Sequence, residues 1–148
     1  MKSTSILAIT IGFFTMLSCS QQIPESEIPS VVLNRIDVEF SNATNVEWEK
    51  KGAFYEVEFE VNNVDHEALI EETGTLIKYI KEVSIEELPQ MLRNSLTSRE
   101  EIKKVDDAHL LTIGETSYYQ LEFKGPLTGA KKVYSLEGEE MQNINYYD

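Results

Sequence analysis

Cysteine is almost absent from this chain, since Cys19 is the only one in 148 residues. A single cysteine excludes an intrachain disulfide, so an exported form must depend on a packed core for its stability. Histidine is equally scarce, with only His66 and His109, and no His-x-x-His or Cys-x-x-Cys pair occurs. Because a zinc site needs several such ligands at close spacing, the sequence predicts no metal and no cofactor.

Long apolar runs are missing after the N-terminus. Residues 6–17 form a run of 12 uncharged residues, which is too short to cross a hydrocarbon core of about 30 Å but fits a signal-peptide core. With the Ser18-Cys19 pair that follows, the run resembles a bacterial lipoprotein signal, although Met16 and Leu17 depart from its usual pattern. We therefore predict a lipoprotein signal peptide at 1–18, lipid attachment at Cys19 and a tether at 19–27. Plain secretion with cleavage nearby is the alternative.

Basic residues are few. The chain has 13 Lys and Arg against 26 Asp and Glu, a net charge of −13 at pH 7, and no acidic residue precedes Glu25. Such a surface argues against nucleic acid and against direct adsorption to anionic lipid, because both need basic patches. We expect membrane attachment through the lipid on Cys19 alone, and a protein or peptide partner that carries some positive charge.

What the chain does contain is an internal repeat. Each half begins with a helix pattern that carries an early proline, Pro29 or Pro89, and five residues recur 64 positions later in the same order. The matched pairs are Tyr55/Tyr119, Glu58/Glu122, Phe59/Phe123, Gly74/Gly138 and Ile80/Ile144. The sequence therefore predicts one domain, 28–148, made of two repeats at 28–83 and 84–148.

Strand patterns follow each predicted helix. They lie at 45–49, 54–61, 66–71 and 75–81 in the first half, and at 109–113, 118–124, 131–136 and 140–145 in the second. Strict alternation of apolar and polar residues in 54–61 predicts a strand with one buried and one polar face. The predicted fold class is α+β, with two tandem helix-plus-antiparallel-meander repeats forming one continuous sheet and helices on one face.

A resemblance to a known family supports this fold. The strand patterns Asn45-Val46-Glu47-Trp48 and 54–59, the early prolines and the glycine turns together resemble the PepSY-like family over about residues 28–145. These are secreted or lipid-anchored proteins, common in Bacteroidetes and described as similar to the beta-lactamase inhibitor protein. The resemblance implies protein binding on the open sheet face, without establishing inhibition of any enzyme. The usual Asp-x-x-Gly is missing from both turns.

No catalytic pattern is present, and the chain is predicted not to be an enzyme. No Gly-x-Ser-x-Gly motif occurs, and Cys19 is assigned to the N-terminus. The predicted function is a cell-envelope binding module, lipid-anchored and facing the periplasm because no acidic residue directly follows Ser20. The predicted contacts on the helix-free sheet face are Phe54, Glu56, Glu58, Tyr118, Gln120 and Glu122.

Two other functions stay open. One is a peptidase-modulating or chaperone-like envelope factor, which the family resemblance alone implies. The other is a small-ligand or cation carrier that uses the carboxylate row of Glu56, Glu58 and Glu60, because calcium takes oxygen ligands.

Overall fold

The computed structural model describes residues 22–125 and 129–147. The predicted signal peptide and Cys19 lie outside the described residues, and both stay predictions. Within the described part, two helices and seven strands follow one another along the chain. They are α1 (Ser30–Glu39), β1 (Thr44–Lys51), β2 (Phe54–Val61), β3 (Val64–Glu71), β4 (Leu76–Glu82), α2 (Gln90–Ser98), β5 (Val105–Ile113), β6 (Thr116–Phe123) and β7 (Ala130–Tyr134).

The strands form one antiparallel sheet in the order in which they occur in the sequence. Strands β4 and β5 pair with each other although α2 lies between them in the chain. A seven-stranded antiparallel sheet with two helices is an α+β fold, as the sequence predicts. The tight Asn62-Asn63 turn joins β2 to β3, with both residues at positive φ (55° and 64°), a backbone that asparagine tolerates well.

Each helix packs against its own part of the sheet. Val32 and Ile36 of α1 pack in a buried cluster with Trp48, Val57 and Phe59. The corresponding cluster beneath α2 contains Leu92, Leu96, Ala108, Leu121 and Phe123. Tyr55, Val57 and Phe59 of β2 are buried on the helix side, as the alternation predicts, while Glu56 on the other face is buried as well and Val61 only partly.

The strand register places both clusters on the same face. Ala68 lies opposite Tyr79, and Tyr79 lies opposite Thr112. Ala108 is on the same strand as Thr112, an even number of residues away, and lies opposite Leu121. Paired residues, and residues an even number apart, point to the same side of a sheet. The described helices therefore cover one face, and we call the opposite one the helix-free face.

Both helices begin directly after a proline. Pro29 precedes α1 and Pro89 precedes α2, and proline suits this position because its fixed φ fits a helix start. A short 3-10 turn comes before each proline, at Glu25–Glu27 and Ile85–Glu87. In the second turn the Glu87 carboxylate accepts hydrogen bonds from the Ser84 N–H (2.8 Å) and hydroxyl (3.0 Å), as the spacing of these residues predicts.

Glycine is required where a turn meets each helix. Gly74 and Gly138 have φ of +84° and +87°, which favours glycine. A Cβ on Gly74 would lie 2.6 Å from Val31 Cγ2 and 2.9 Å from the Val31 oxygen, and one on Gly138 would lie 3.0 Å from Leu92 Cα. These turns therefore pack directly against the helix backbone or its first side chains.

Two predicted segments differ in the structure. Residues 140–145 are not a strand: their backbone pairs with β7 through a bridge between Tyr134 and Glu140 and a 2.8 Å bond from Met141 N–H to the Val133 oxygen. Asparagine and glutamine, which fill much of this segment, are poorly suited to strands.

The part of the predicted tether that the structure describes, residues 22–27, is also not free. The Ile23 N–H donates to the Trp48 oxygen (2.9 Å), and Gln22 forms a bridge with Glu49. Strand β1 is at the edge of the sheet, where its unpaired backbone groups accept such an addition.

Candidate functional site

The six predicted contact residues all lie on the helix-free face, in strands that three others separate. Phe54, Glu56 and Glu58 belong to β2, and Tyr118, Gln120 and Glu122 belong to β6. Glu58 is exposed, while Phe54, Tyr118 and Glu122 are half-buried. Glu56 and Gln120 are only 5% and 0% exposed. The prediction of these two as accessible contacts was wrong, because the chain's own C-terminus covers them.

The covering residue is Tyr147, near the end of the segment 140–147, which we call the C-terminal segment. The Gln120 side-chain amide forms two hydrogen bonds with the Tyr147 backbone. Its Nε2 donates to the Tyr147 oxygen (2.9 Å), and its Oε1 accepts from the Tyr147 N–H (3.1 Å). The Gln120 side chain thus makes the hydrogen bonds that a neighbouring strand would make to the Tyr147 backbone. The same two bonds satisfy the side-chain amide of Gln120, which is fully buried.

The Tyr147 side chain reaches the opposite part of the sheet. Its hydroxyl donates to Glu56 Oε2 (3.1 Å), and Glu56 also pairs with Lys51 of β1. The Lys78 ammonium lies 3.7 Å from the centre of the Tyr147 ring, in a cation–π contact. Tyr147 therefore contacts β2, β4 and β6 directly, and β1 only through the Lys51–Glu56 pair.

Side chains from distant strands meet at Tyr147. Strands β2 and β6 are four positions apart in the strand order, which corresponds to about 19 Å in a flat sheet. Both strands bind the same tyrosine through a side chain, from which we infer that the helix-free face is concave where Tyr147 lies. The sheet side of this concavity is apolar and consists of Ile80 and Leu111 with the partly buried Leu69, Ile113 and Tyr118, and Ile144 of the C-terminal segment packs against them.

Burial shifts the pKa values of the ionisable groups around Tyr147. It raises the pKa of Glu67 to about 7, with the neighbouring carboxylates Glu56 and Glu58 adding to the rise and the Tyr147 hydroxyl offsetting part of it. Burial, together with the charges of Glu67 and Glu56, raises the pKa of Tyr147 far above its ordinary value. Burial also lowers the pKa of Lys78, which Glu56 and Glu67 oppose. The phenol therefore stays protonated and acts as a hydrogen-bond donor.

A second feature of the helix-free face is an acidic groove on β1–β3. Glu47 lies opposite Glu58, and Glu58 lies opposite Glu67, so three carboxylates form one row across the strands. Glu60 and Asp65 form a further acidic pair at the same end of the sheet. We define the acidic groove, about 340 Å³ in volume, by Glu47, Glu58, Glu60, Asp65 and Glu67, with His66 and His109 also lining it.

This row is incompletely neutralised by the described part of the chain. Glu58 makes neither a hydrogen bond nor an ion pair with any described residue. Glu47 accepts a hydrogen bond from the neutral Gln22 amide (2.7 Å). Like charges directly opposite each other destabilise a sheet, so the row favours an external cation.

In residues 22–125 and 129–147, no group of His, Cys, Asp and Glu side chains is arranged to hold a metal ion. Glu56, Glu58 and Glu60 of β2, on which the cation-carrier alternative depends, do not form such a group in this part of the chain. No helix of the described residues is long and apolar enough to cross a membrane.

The sequence analysis did not find Tyr147, Glu67 or Lys78. Two adjacent tyrosines in an otherwise polar terminal stretch are the signal that was available for Tyr147, because buried tyrosines usually have a hydrogen-bond partner for the hydroxyl. The contacts of Glu67 and Lys78 depend on sheet curvature, which the residue pattern does not indicate.

Comparison with protein-family models and with curated proteins gave no match. Solved structures do match. A BLIP-like protein from Bacteroides fragilis has a TM-score of 0.68 at 17% identity, over 81% of this chain and 89% of that one. A protein from Bacteroides eggerthii whose name suggests a periplasmic location has a TM-score of 0.70 at 15% identity, over 77% and 86%. A DUF2874 family protein from Bacteroides uniformis has a TM-score of 0.69 at 16% identity, over 77% and 86%.

These similarities establish the fold. The chain has the architecture of BLIP-like and DUF2874 family structures from Bacteroides, consistent with the expected similarity to the beta-lactamase inhibitor protein. At such low identity they carry no site residue over to this chain.

Proposed function

We propose that this protein is a non-catalytic binding module of the cell envelope that binds a basic protein or peptide in the acidic groove. The single observation that carries this proposal is the carboxylate row Glu47, Glu58 and Glu67, which lies in register across three strands. Such a row repels itself and is relieved by a cationic partner.

The charge distribution supports a protein partner more than a small ion. The groove is open and spread over several strands, and the described side chains do not converge on one point. A lysine-rich or arginine-rich segment distributes its charges over a similar length and matches this arrangement. Electrostatic attraction of this kind speeds association and weakens as salt screens it.

The envelope location is supported from two sides. The predicted lipoprotein signal ends at Cys19, and one of the structures with this fold has a name that suggests the periplasm. We further propose that the protein is lipid-anchored through Cys19 and belongs with PepSY-like proteins. Phe54, Tyr118 and Glu122 remain proposed contacts beside the groove.

Binding of a fluorescent lysine–glycine repeat peptide, measured by anisotropy at low and high salt, tests the groove. The double variant Glu47→Gln with Glu58→Gln removes two groove charges and is expected to weaken binding by about tenfold at low salt. The control, Glu27→Gln with Glu86→Gln, removes two exposed charges from the 3-10 turns that precede the helices. It should change the affinity by less than about twofold, since its charges are distant and screened. Equal losses in both double variants would show a response to net charge alone.

A further inference from the structure

We propose that the concavity around Tyr147 is a binding site for a tyrosine side chain on a basic segment of a partner protein, and that the C-terminal segment fills it when the partner is absent. The tyrosine site is a second part of the helix-free face, beside the acidic groove. That the partner is basic rests on the proposed function above. The new inference is that the partner must also present a tyrosine.

The first argument is the nature of the contacts that hold Tyr147. The Gln120 amide binds the backbone N–H and oxygen of one residue, a contact that any extended peptide can offer. Glu56 accepts the phenol hydrogen, and Lys78 lies over the ring. Backbone, hydroxyl and ring are each recognised by a separate group, so the site selects a tyrosine in an extended segment.

The second argument is that the C-terminal segment satisfies the site incompletely. Glu67 Oε1 is buried beside Tyr147 and accepts no well-aligned hydrogen bond from a described donor, although the Glu67 carboxyl interacts with the Tyr147 hydroxyl and with Glu56. An unsatisfied buried oxygen carries a desolvation cost of about 1–3 kcal/mol. A ligand that brings a further donor next to its tyrosine would remove that cost.

The third argument is charge. Residues 141–147 contain no Lys, Arg or His, although they lie near the carboxylates of Glu67 and the acidic groove as well as near Lys51 and Lys78. A tyrosine segment that carries a lysine or arginine would gain attraction to Glu67 and the acidic groove that the C-terminal segment lacks. Tyr147 is therefore expected to bind the site more weakly than a tyrosine on a basic segment. It occupies the site because it is part of the same chain, which raises its local concentration to about the millimolar range.

The fourth argument is space. A cleft of about 410 Å³ lies next to Tyr147, with Phe54 and Leu69 as apolar walls and Lys51 and Lys78 at its edge. It is continuous with the tyrosine site and large enough for a side chain that flanks the bound tyrosine. Phe54, one of the residues predicted as contacts, is thereby placed beside the ligand.

The probe is a fluorescent peptide of sequence Lys-Ile-Asn-Tyr-Tyr-Lys, with a control peptide that has alanine in place of both tyrosines. The variant Tyr147→Ala removes the tethered competitor, and its binding of the tyrosine peptide should be at least about tenfold tighter than that of the wild type. Adding Gln120→Leu to Tyr147→Ala should abolish this gain without leaving an unpaired amide. The alanine peptide should bind the wild type and Tyr147→Ala equally.

A second variant covers the case in which Tyr147→Ala fails to fold. Tyr147→Phe keeps the ring and removes only the hydroxyl, and it should increase peptide affinity by a few-fold. In the wild type, saturating peptide should accelerate hydrogen exchange of the Tyr147 amide, because its Gln120 partner is taken by the ligand.

Equal affinity of the tyrosine peptide for the wild type and for the folded variants would overturn the proposal, as would unchanged exchange at Tyr147. The two proposals fail separately. If both peptides bind with equal affinity and depend on Glu47 and Glu58, the acidic groove stands and the tyrosine site does not. If only the tyrosine peptide binds and the groove variants have no effect, the tyrosine site stands and the proposed binding in the acidic groove does not.

Discussion

The two halves of the chain end in different ways. Strand β4 follows Gly74 and lies in the middle of the sheet, paired with β3 on one side and β5 on the other. The C-terminal segment follows Gly138, at the matching place of the sequence repeat, but leaves the sheet after one bridge and crosses the helix-free face. Two segments at matching positions thus become a central strand and a covering segment.

Whether a segment becomes a strand therefore depends on the strands available beside it as much as on its own sequence. β4 has partners on both sides, whereas the C-terminal segment has only β7, which is five residues long. Its Tyr147 instead obtains backbone partners from Gln120 and a carboxylate from Glu56. As a consequence the C-terminal segment covers the helix-free face over β4–β6 and reaches Glu56 of β2 and Leu69 of β3, while the acidic groove on β1–β3 stays open.

The largest expected effects concern the two glycines that precede these segments. Gly74→Ala should lower the free energy of unfolding by about 3–5 kcal/mol, since it adds backbone strain at positive φ to a clash with Val31. Gly138→Ala should cost about 2–4 kcal/mol, because its closest contact, to Leu92, is longer. Urea unfolding measures both values.

Gly52→Ala is the matched control for the glycine variants. Gly52 also has a positive φ (+68°), but a Cβ there would meet no atom within 4 Å. It should therefore cost only the strain of the left-handed backbone, about 1–2 kcal/mol. If Gly52→Ala costs as much as Gly74→Ala, the contact with the helix adds nothing to the cost of the substitution. The turns at Gly74 and Gly138 would then not pack against the helices as described.

The next comparison uses Ile80 and Ile144, which occupy matching positions and share one apolar cluster. Ile80→Ala should cost about 3 kcal/mol, because this residue is buried in a central strand. Ile144→Ala should cost about 1 kcal/mol, since its side chain is only half-buried and its segment is bound at few points.

Hydrogen exchange distinguishes the two isoleucine variants beyond their stabilities. Ile144→Ala should accelerate exchange in residues 141–147 alone, whereas Ile80→Ala should accelerate it throughout the sheet. Equal costs and identical exchange patterns would mean that the C-terminal segment unfolds together with the sheet and is not a separately bound element.

Much of the fold was predictable because it depends on local patterns. The alternation in 54–61 indicates which face of β2 is buried, and the prolines at 29 and 89 indicate where the helices begin. The limit is visible after Gly138. Ile77 and Ile80 of β4 have apolar counterparts there, but Asn143 and Asn145 stand where β4 has Tyr79 and Lys81. Those asparagines weaken a strand, and pattern matching gave them too little weight.

The site was predictable only in part. Placing Phe54, Glu58 and Tyr118 on the helix-free face required nothing beyond strand alternation. The burial of Glu56 and Gln120 arises from contacts with Tyr147, which lies 91 residues from Glu56 in the chain and reaches it across a concave sheet. Neither that curvature nor the path of the C-terminal segment follows from residue periodicity.

The last expected effect depends on pH and concerns Glu67 of the first half, whose pKa is raised by burial beside the tyrosine of the second half. Its pKa is about 7 in the folded protein, against an ordinary value of 4.5. Below pH 4.5 both the folded and unfolded states hold the proton. As pH rises from 4.5 to 7 the unfolded state releases it first, so unfolding is favoured progressively, and the effect is complete above pH 7. Glu67→Gln should therefore gain stability relative to the wild type across this window, by up to about 2 kcal/mol once solvent screening of this partly exposed group is allowed for. Urea unfolding between pH 4.5 and pH 8 measures the difference, and Glu72→Gln, an exposed carboxylate in the β3–β4 turn, is the control. A stability difference between Glu67→Gln and the wild type that is constant over the window would show that burial does not raise the pKa of Glu67 in the folded protein.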